Sequence, residues 1–347
     1  MPLPASLPSP RTPNPMDAPP LRWGIIAPGG IAGAFAWAAN TFTRQDLVAC
    51  GSSSLERAQG FAARYGLPRA YGSYEQLLAD EEVQAVYVAS PHSHHFAQAK
   101  AALEAGKHVL VEKSFTTSAA QARELAGLAA AGGLTLMEAM WTRFLPRTDV
   151  VRQLLEVEAL GSIEMLVADH GQSLLHIPRL VDPELAGGAL LDLGVYPLSW
   201  AVFALGMPAR VSSRGTLTAA GVDRQEAIAL DGFAAHPGAQ ALLTATIGAK
   251  TATTAVLSGT AGRIELPGDF YTPGNVRLLA PDNTLIDEWV DHGPHGHEAM
   301  CHEIAHFAQL VADGRGESPL LPLSETAAIV GLMDQIRAQL GVKYPWE

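Results

Sequence analysis

Between Leu21 and about Ala139, short apolar runs alternate with segments of helical length, and this alternation constrains the fold more than any other feature. Trp23-Gly24-Ile25-Ile26-Ala27 reads as a strand, followed by a glycine turn and a helix through Asn40. Leu47 to Cys50 reads as a second strand and Leu55 to Tyr65 as a helix. Val83 to Ala89 is a buried strand, His94 to Ala105 a helix, Lys107 to Val111 a strand, Ser118 to Ala131 a helix, and Leu134 to Met137 a closing strand. Repeated βαβ units imply a parallel, doubly wound sheet of the Rossmann type.

After Trp141 the rhythm changes. Arg147 to Leu160 reads as a helix, Ile163 to Ala168 as a strand and Ala189 to Ala204 as a helix. Three β-branched runs follow, Glu226 to Phe233, Gln240 to Ile247 and Thr251 to Leu257, bounded by Gly, Pro and Asp. Consecutive strands with short turns suggest an antiparallel sheet. Helices near His297 to Ala312 and Ser324 to Leu340 close the chain. The expected division is 1–20 as a disordered proline-rich tail, 21–140 as a dinucleotide-binding domain and 141–347 as a substrate-binding and oligomerisation domain. The tail carries eight prolines and no apolar h-region, so it does not read as a signal peptide, and Met16 offers an alternative start.

The formal charge of -12 argues against nucleic acid and anionic membrane surfaces as partners, since both are held by clustered Lys and Arg. No run is read as a transmembrane helix. Two distant cysteines, Cys50 and Cys301, give no disulfide framework and suit a reducing cytoplasm.

The turn after the first strand, Ala27-Pro28-Gly29-Gly30-Ile31-Ala32, occupies the place of a G-x-G-x-x-G/A fingerprint, with Ala27 where the first glycine would stand. Gly29 lets backbone approach a pyrophosphate, Ala32 is expected to permit close helix–sheet packing, and the helix N-terminus faces the phosphates. The bland alternative is a plain strand–helix turn. The second strand ends in Gly51-Ser52-Ser53-Ser54, with Arg57 beyond and no acid for a ribose 2′-hydroxyl. Hydroxyls and an arginine suit a 2′-phosphate, so NADP is favoured over NAD; alternatively, Arg57 is a solvated helix residue. The fifth strand ends in Glu112-Lys113, and Lys113 is one of only five lysines. A lysine at the carboxyl end of a strand lies where open α/β sheets bind ligands.

Ser90-Pro91-His92-Ser93-His94-His95, Ala105-Gly106-Lys107-His108-Val109-Leu110-Val111-Glu112-Lys113 and Gly187-Gly188-Ala189-Leu190-Leu191-Asp192-Leu193-Gly194-Val195-Tyr196 resemble the glucose–fructose oxidoreductase/inositol dehydrogenase (Gfo/Idh/MocA) family. Three segments are similar to its dimeric dihydrodiol dehydrogenase and D-xylose dehydrogenase branch. They are Met137 to Pro146, His176-Ile177-Pro178-Arg179 and Glu317 to Leu323. The resemblance implies an N-terminal Rossmann domain and a C-terminal α/β domain with an open-faced, largely antiparallel sheet. It implies self-association through that sheet as a homodimer or homotetramer. It also implies Lys113 and Tyr196 as a catalytic pair with Asp192, and Ser90, Pro91, His92 and Glu112 beside the nucleotide. His95 either borders the cofactor or only packs. The family has proline after this lysine; here Ser114 stands there. A cis bond before a non-proline residue costs roughly 2.5–4 kcal/mol, so a trans bond is expected.

Oxidation of an alcohol removes a hydride from carbon and a proton from oxygen, so the protein supplies a base and a cation near that oxygen. A Lys113 ammonium would favour Tyr196 phenolate, and Asp192, four residues before Tyr196, shares its helix face. Trp141, Arg143, Phe144, His176 and Arg179 are candidates to wall or bind a small carbohydrate or diol, each set against a structural role. The expected activity is hydride transfer between a nicotinamide and a CH–OH group of a sugar, polyol or trans-dihydrodiol. The alternatives are a non-catalytic NADP-binding regulator and a sugar–sugar oxidoreductase with tightly bound cofactor. His302-Glu303-Ile304-Ala305-His306 also fits H-E-x-x-H, with Glu325 downstream as a third ligand. Local histidine enrichment makes such a match easy, and the resemblance assigns the segment to an ordinary helix, so no metal is expected.

Overall fold

The computed structural model describes residues 3–347. The first elements are β1 (Arg22–Ile26), α1 (Gly30–Phe42), β2 (Asp46–Gly51), α2 (Leu55–Tyr65), β3 (Arg69–Tyr71), α3 (Tyr74–Leu78), β4 (Ala85–Val88), α4 (His92–Glu104), β5 (His108–Glu112), α5 (Ala119–Gly132) and β6 (Leu136–Ala139). Their strands form one parallel sheet in the order β3-β2-β1-β4-β5-β6. This is the doubly wound order, with its switch point between β1 and β4. β4 is buried along its whole length, which is why it reads as an unbroken apolar run; β6 is equally buried although it carries Glu138. Serines start three of the helices: Ser54, Ser73 and Ser118 each accept a first-turn backbone N–H. The short β3 and α3 were not expected; β3 is three half-buried residues with no apolar run to reveal it.

The chain continues through α6 (Pro146–Glu156), β7 (Ile163–Gly171), α7 (Val195–Leu205), β8 (Arg210–Leu217), β9 (Asp223–Asp231), β10 (Gln240–Thr246), β11 (Ala255–Gly259), β12 (Arg263–Leu266), β13 (Val276–Leu279) and β14 (Leu285–Trp289). These strands form an eight-stranded sheet in the order β14-β13-β12-β11-β7-β10-β9-β8, antiparallel except where β10 meets β7. Four of its strands, β8 and β12 to β14, escaped the sequence reading. β8 is an edge strand whose RVSSRGTL sequence buries little, and the other three are short. One face of the sheet is covered: Leu166, Ala168 and His170 of β7 are buried, and α7 packs on β7 and β10. The other face is open, with Val167 and Leu242 each 46% exposed. Helices α8 (Met300–Ala312) and α9 (Leu323–Leu340) end the fold.

Two compact units emerge. The nucleotide unit holds residues 13–144 and 294–330; the sheet unit holds the described residues through Thr12, 145–293 and 331–347. The expected assignment of everything from 141 onward to one domain differs from this division. Segment 294–330 returns to the nucleotide unit, where Leu136 N donates to Gly316 O at 2.9 Å and Trp23 packs on Phe307 at 5.1 Å. The tail also departs from its expected disorder. Leu7 N donates to Asp287 at 2.8 Å, and Arg11 donates to Asp149 and Glu156 at 2.9 Å. Segment 183–205 is long and apolar enough to cross a membrane by composition, contrary to the sequence reading, but its most apolar window is 94% buried, as suits a core helix.

Candidate active site

At the carboxyl end of β1 the turn begins with Ala27 at φ 59°, the left-handed conformation that a first glycine adopts with least strain. Gly29 then caps α1 without any side-chain hydrogen bond. A Cβ on Gly30 would meet nothing within 4 Å, and one on Gly29 only Ala27 O at 3.8 Å. The helix therefore opens with uncapped N–H groups beside a bare backbone surface, which is what a pyrophosphate requires. Ile31 is half-exposed and Ala32 is buried. The next residue packs closely on α2: a Cβ on Gly33 would lie 2.4 Å from the Tyr65 hydroxyl.

At the end of β2, Ser52 is buried and its Oγ accepts from Ser54 N at 3.3 Å, while Ser54 caps α2. Arg57 donates to Ser53 Oγ at 2.8 Å, so hydroxyl and guanidinium lie side by side with no carboxylate between them. Beyond β4, the Ser90 hydroxyl is buried without a hydrogen-bond partner, followed by Pro91 at the N-cap of α4 and a buried His92. A buried orphan hydroxyl at this edge is consistent with a ligand there. These features fit a dinucleotide with a 2′-phosphate.

His95 is fully buried, with Nε2 2.8 Å from Ser90 O and Nδ1 2.8 Å from Ser114 O. Burial pushes its pKa down to about 4, so the ring is neutral and its single N–H donates to one of these two carbonyls, at the ends of β4 and β5. The Lys113–Ser114 bond is cis, not the expected trans. Its flanks are held on both sides: Ser114 O faces His95, and Phe115 N donates to Glu138 at 3.1 Å. Lys113 N donates to the buried Glu112 carboxylate at 3.2 Å, and Tyr87 Oη also donates to that carboxylate. His297, which had figured only as part of a histidine-rich stretch, stacks on Trp141 at 5.5 Å and lies in the field of Lys113.

Two substrate-site candidates are themselves buried and have partners within the protein. Arg143 is 2% exposed, pairs with Glu325 and donates to Leu320 O at 3.4 Å. Phe144 packs on His306 at 4.9 Å. His306 Nε2 is 2.8 Å from Ser318 Oγ, so two groups of the zinc-like pattern, His306 and Glu325, are engaged within the protein.

In the sheet unit the segment carrying Asp192 opens as a π-helical turn, Leu190–Gly194, before α7 begins. The simple one-face relation expected of Asp192 and Tyr196 is therefore shifted by the wider turn. Two acids of β9 meet this segment. Asp223 accepts from Leu190 N at 2.5 Å, and a Cβ on Gly194 would come 2.9 Å from Glu226 Oε1. Asp192 is buried and accepts from Arg179 at 3.1 Å; His176 is exposed. Tyr196 is 7% exposed and meets His170 edge-on at 5.3 Å and Tyr271 at 4.7 Å. The His170 tautomer follows from its neighbours: Nδ1 donates to Leu193 O at 3.2 Å, and Nε2 accepts from Gln172 at 3.0 Å. Gln172 also donates to Tyr271 Oη at 3.1 Å. Burial, with the charges of Asp269 and Asp192, pushes Tyr271 up to about 12. No short motif marked His170 or Tyr271; β7 carries His170 to Tyr196, and the loop between β12 and β13 carries Tyr271 there.

Residues 21–140 match the model of an oxidoreductase family with an NAD-binding Rossmann fold, and residues 148–265 match the C-terminal domain model of the same family. The chain belongs to the Gfo/Idh/MocA family of NAD(P)-dependent dehydrogenases and reductases. It is similar to trans-1,2-dihydrobenzene-1,2-diol dehydrogenase of Homo sapiens, 34% identical over 94% of this chain and 98% of the relative. The Xenopus laevis protein of that name is 35% identical over 93% and 99%. Among solved structures, a 3-ketoreductase from Actinomadura kijaniata in complex with NADP and TDP-benzene superposes with a TM-score of 0.78 at 28% identity, covering 93% of this chain and 98% of its own.

Proposed function

We propose that the chain is an NADP-preferring dehydrogenase or reductase acting on a CH–OH group of a trans-dihydrodiol, sugar or polyol. The observation that carries this reading is the pairing of a Cβ-free phosphate cradle with Arg57 and Ser53 and no acid at the end of β2. The diol named for the relatives and the NADP bound to the ketoreductase point the same way. When bound, the nicotinamide supplies the hydride acceptor or donor. Ser53 and Arg57 bind the 2′-phosphate, and Gly29, Gly30 and the N-terminus of α1 bind the pyrophosphate. Lys113 supplies an ammonium to the substrate oxygen. Tyr196 takes the hydroxyl proton as the hydride leaves carbon, and returns it in reduction. Asp192, fixed by Arg179, orients the substrate hydroxyls with His176.

The chain acts in the reducing cytoplasm, consistent with both cysteines being free. It self-associates as a homodimer or homotetramer through the open face of the eight-stranded sheet. There Leu242, Val167 and Val256 form a cross-strand apolar row. A screen at about 340 nm of dihydrodiols, sugars and polyols with each nucleotide tests the activity. Lys113→Met and Tyr196→Phe should each lower kcat by about 100-fold or more while NADP binding persists. Near-normal turnover in both variants would falsify the assignment.

A further inference from the structure

A buried arginine of the sheet unit takes no part in the chemistry described so far. Arg147 lies in the first turn of α6 and is 1% exposed. Its hydrogen bonds go to three backbone carbonyls of one loop, residues 267–275 between β12 and β13. Nη1 donates to Thr272 O at 2.8 Å and, at the longer distance of 3.5 Å, to Asp269 O; Nη2 donates to Asn275 O at 2.8 Å. A Cβ on Gly274 would lie 2.9 Å from Nη1, so the loop backbone closes tightly on the guanidinium. The same loop carries Tyr271, whose ring stacks on His170 at 4.2 Å and lies 4.7 Å from that of Tyr196.

We infer that Arg147 is a positioning residue, which clamps the 267–275 loop and through it holds Tyr271 against Tyr196. The inference rests on Tyr196 taking part in proton transfer. A connection of this length keeps one conformation only where it is tied down. Several ties act at single points: Phe270 N donates to Thr253 O at 2.9 Å, Gly274 N donates to Asp291 at 3.1 Å, and the half-exposed Asp269 carboxylate pairs with Lys250. Arg147 instead reaches carbonyls on both sides of Tyr271 with one planar fork. A buried cation without those carbonyls would be costly, so guanidinium and loop hold each other in place. What the loop delivers is one wall of the Tyr196 ring. His170 meets that ring edge-on at 5.3 Å, and Gln172 joins the two walls by donating to His170 Nε2 at 3.0 Å and to Tyr271 Oη at 3.1 Å. A shift of the loop therefore moves the surroundings of the phenol that exchanges the proton, a step sensitive to small misplacements.

The test is a double-variant cycle in the full chain, read as kcat/KM for trans-1,2-dihydrobenzene-1,2-diol with NADP. Arg147→Lys keeps the charge but loses the fork. It should lower kcat/KM for the diol about tenfold, with KM for NADP within about twofold of the parent's. Tyr271→Ala should lower kcat/KM as well. Adding Arg147→Lys to Tyr271→Ala should then remove no more than about a further twofold, because the arginine has no ring left to place. Losses that multiply in the double variant would overturn the inference, as would an Arg147→Lys protein that turns over like the parent.

Hydrogen exchange supplies a readout that needs no turnover. The amides of Phe270, Thr272 and Gly274 should exchange about tenfold faster in Arg147→Lys, while those of α7 keep their protection. Unchanged exchange in the loop would show that it is held without the arginine. Gly274→Ala attacks the same contact from the loop side, since its Cβ displaces Nη1; it should give the same pattern with about a threefold loss in kcat/KM. If the lysine variant does not fold, Gly274→Ala carries the measurement. Tyr196→Phe keeps the two ideas apart. Full turnover in that variant, or no turnover of any alcohol by the parent, ends the role given to Tyr196 and with it the catalytic half of the inference, whereas faster loop exchange in Arg147→Lys still assigns the clamp.

Discussion

The two units solve the same problem differently. Each carries a candidate reactive side chain on an awkward piece of backbone, and each places buried acids behind it. In the nucleotide unit the acids come from two strands, Glu112 at the end of β5 and Glu138 in β6, and hold N–H groups of one turn. In the sheet unit both come from one strand. Asp223 and Glu226 are three residues apart on β9, a spacing that strict alternation would put on opposite faces. A register shift opposite Thr216 and Leu217 turns both inward. Asp223 then caps the π-helical opening of the Asp192–Tyr196 segment, while Glu226 presses against Gly194. The lesson is that one acid on a strand positions a helix through its N-terminus, but a turn needs acceptors from several directions.

If the sheet-unit arrangement is as rigid as this comparison implies, Gly188 is where it breaks most severely. Gly188 has φ of 122°, and a Cβ there would lie 2.1 Å from Asp223 Oδ1. Gly188→Ala should cost about 3 kcal/mol or more, read by chemical denaturation. Gly106, at φ 73° with open space around it, is the control; its alanine variant should lose about 1 kcal/mol. Equal losses at the two positions would mean that Asp223 does not fill the space.

A smaller effect separates capping from bulk. Asp223→Ala leaves the buried N–H of Leu190 without its acceptor, a loss of about 1–3 kcal/mol. It should also lower kcat without changing NADP affinity, since it acts on the segment bearing Tyr196. Asp223→Asn keeps an acceptor oxygen and should recover most of the stability. Glu226 tests the sign of the charge. Burial first, then Asp223, raises it well above the ordinary range, so the folded protein loses stability as pH rises past that range. Glu226→Gln should match the parent below about pH 4.5 and exceed its Tm by about 2 °C near pH 8. A constant offset would show that Glu226 folds ionised.

The same contrast governs what the sequence disclosed. The Rossmann sheet was legible because its strands are apolar runs bounded by glycine and serine, and its order follows from local connectivity. Lys113, Asp192 and Tyr196 stood out because each lies in a contiguous motif. Glu303 was visible only inside a misleading H-E-x-x-H pattern, and His170, Tyr271, Asp223 and Glu226 carried no local signal. The placement of His170, Asp223 and Glu226 depends on the pairing of β7, β9 and β10, whose register is set by long-range contacts, and Tyr271 lies on the loop between β12 and β13. The return of segment 294–330 to the nucleotide unit was hidden for the same reason.

The gentlest prediction sharpens the nucleotide side of the comparison. Arg57 is exposed on α2, where its guanidinium donates to Ser53, so its loss should leave stability within about 0.5 kcal/mol of the parent. Its guanidinium pairs with phosphate as a planar donor, and lysine is not an equal substitute. Arg57→Ala should raise KM for NADP about tenfold while leaving KM for NAD nearly unchanged, because only NADP offers the 2′-phosphate. A double variant with Ser53→Asp places the missing acid beside the ribose and should tilt the ratio further toward NAD. If Arg57→Ala weakened both nucleotides alike, the arginine would be holding the loop and not the phosphate, and the preference for NADP would have to come from Ser52 and Ser53 alone.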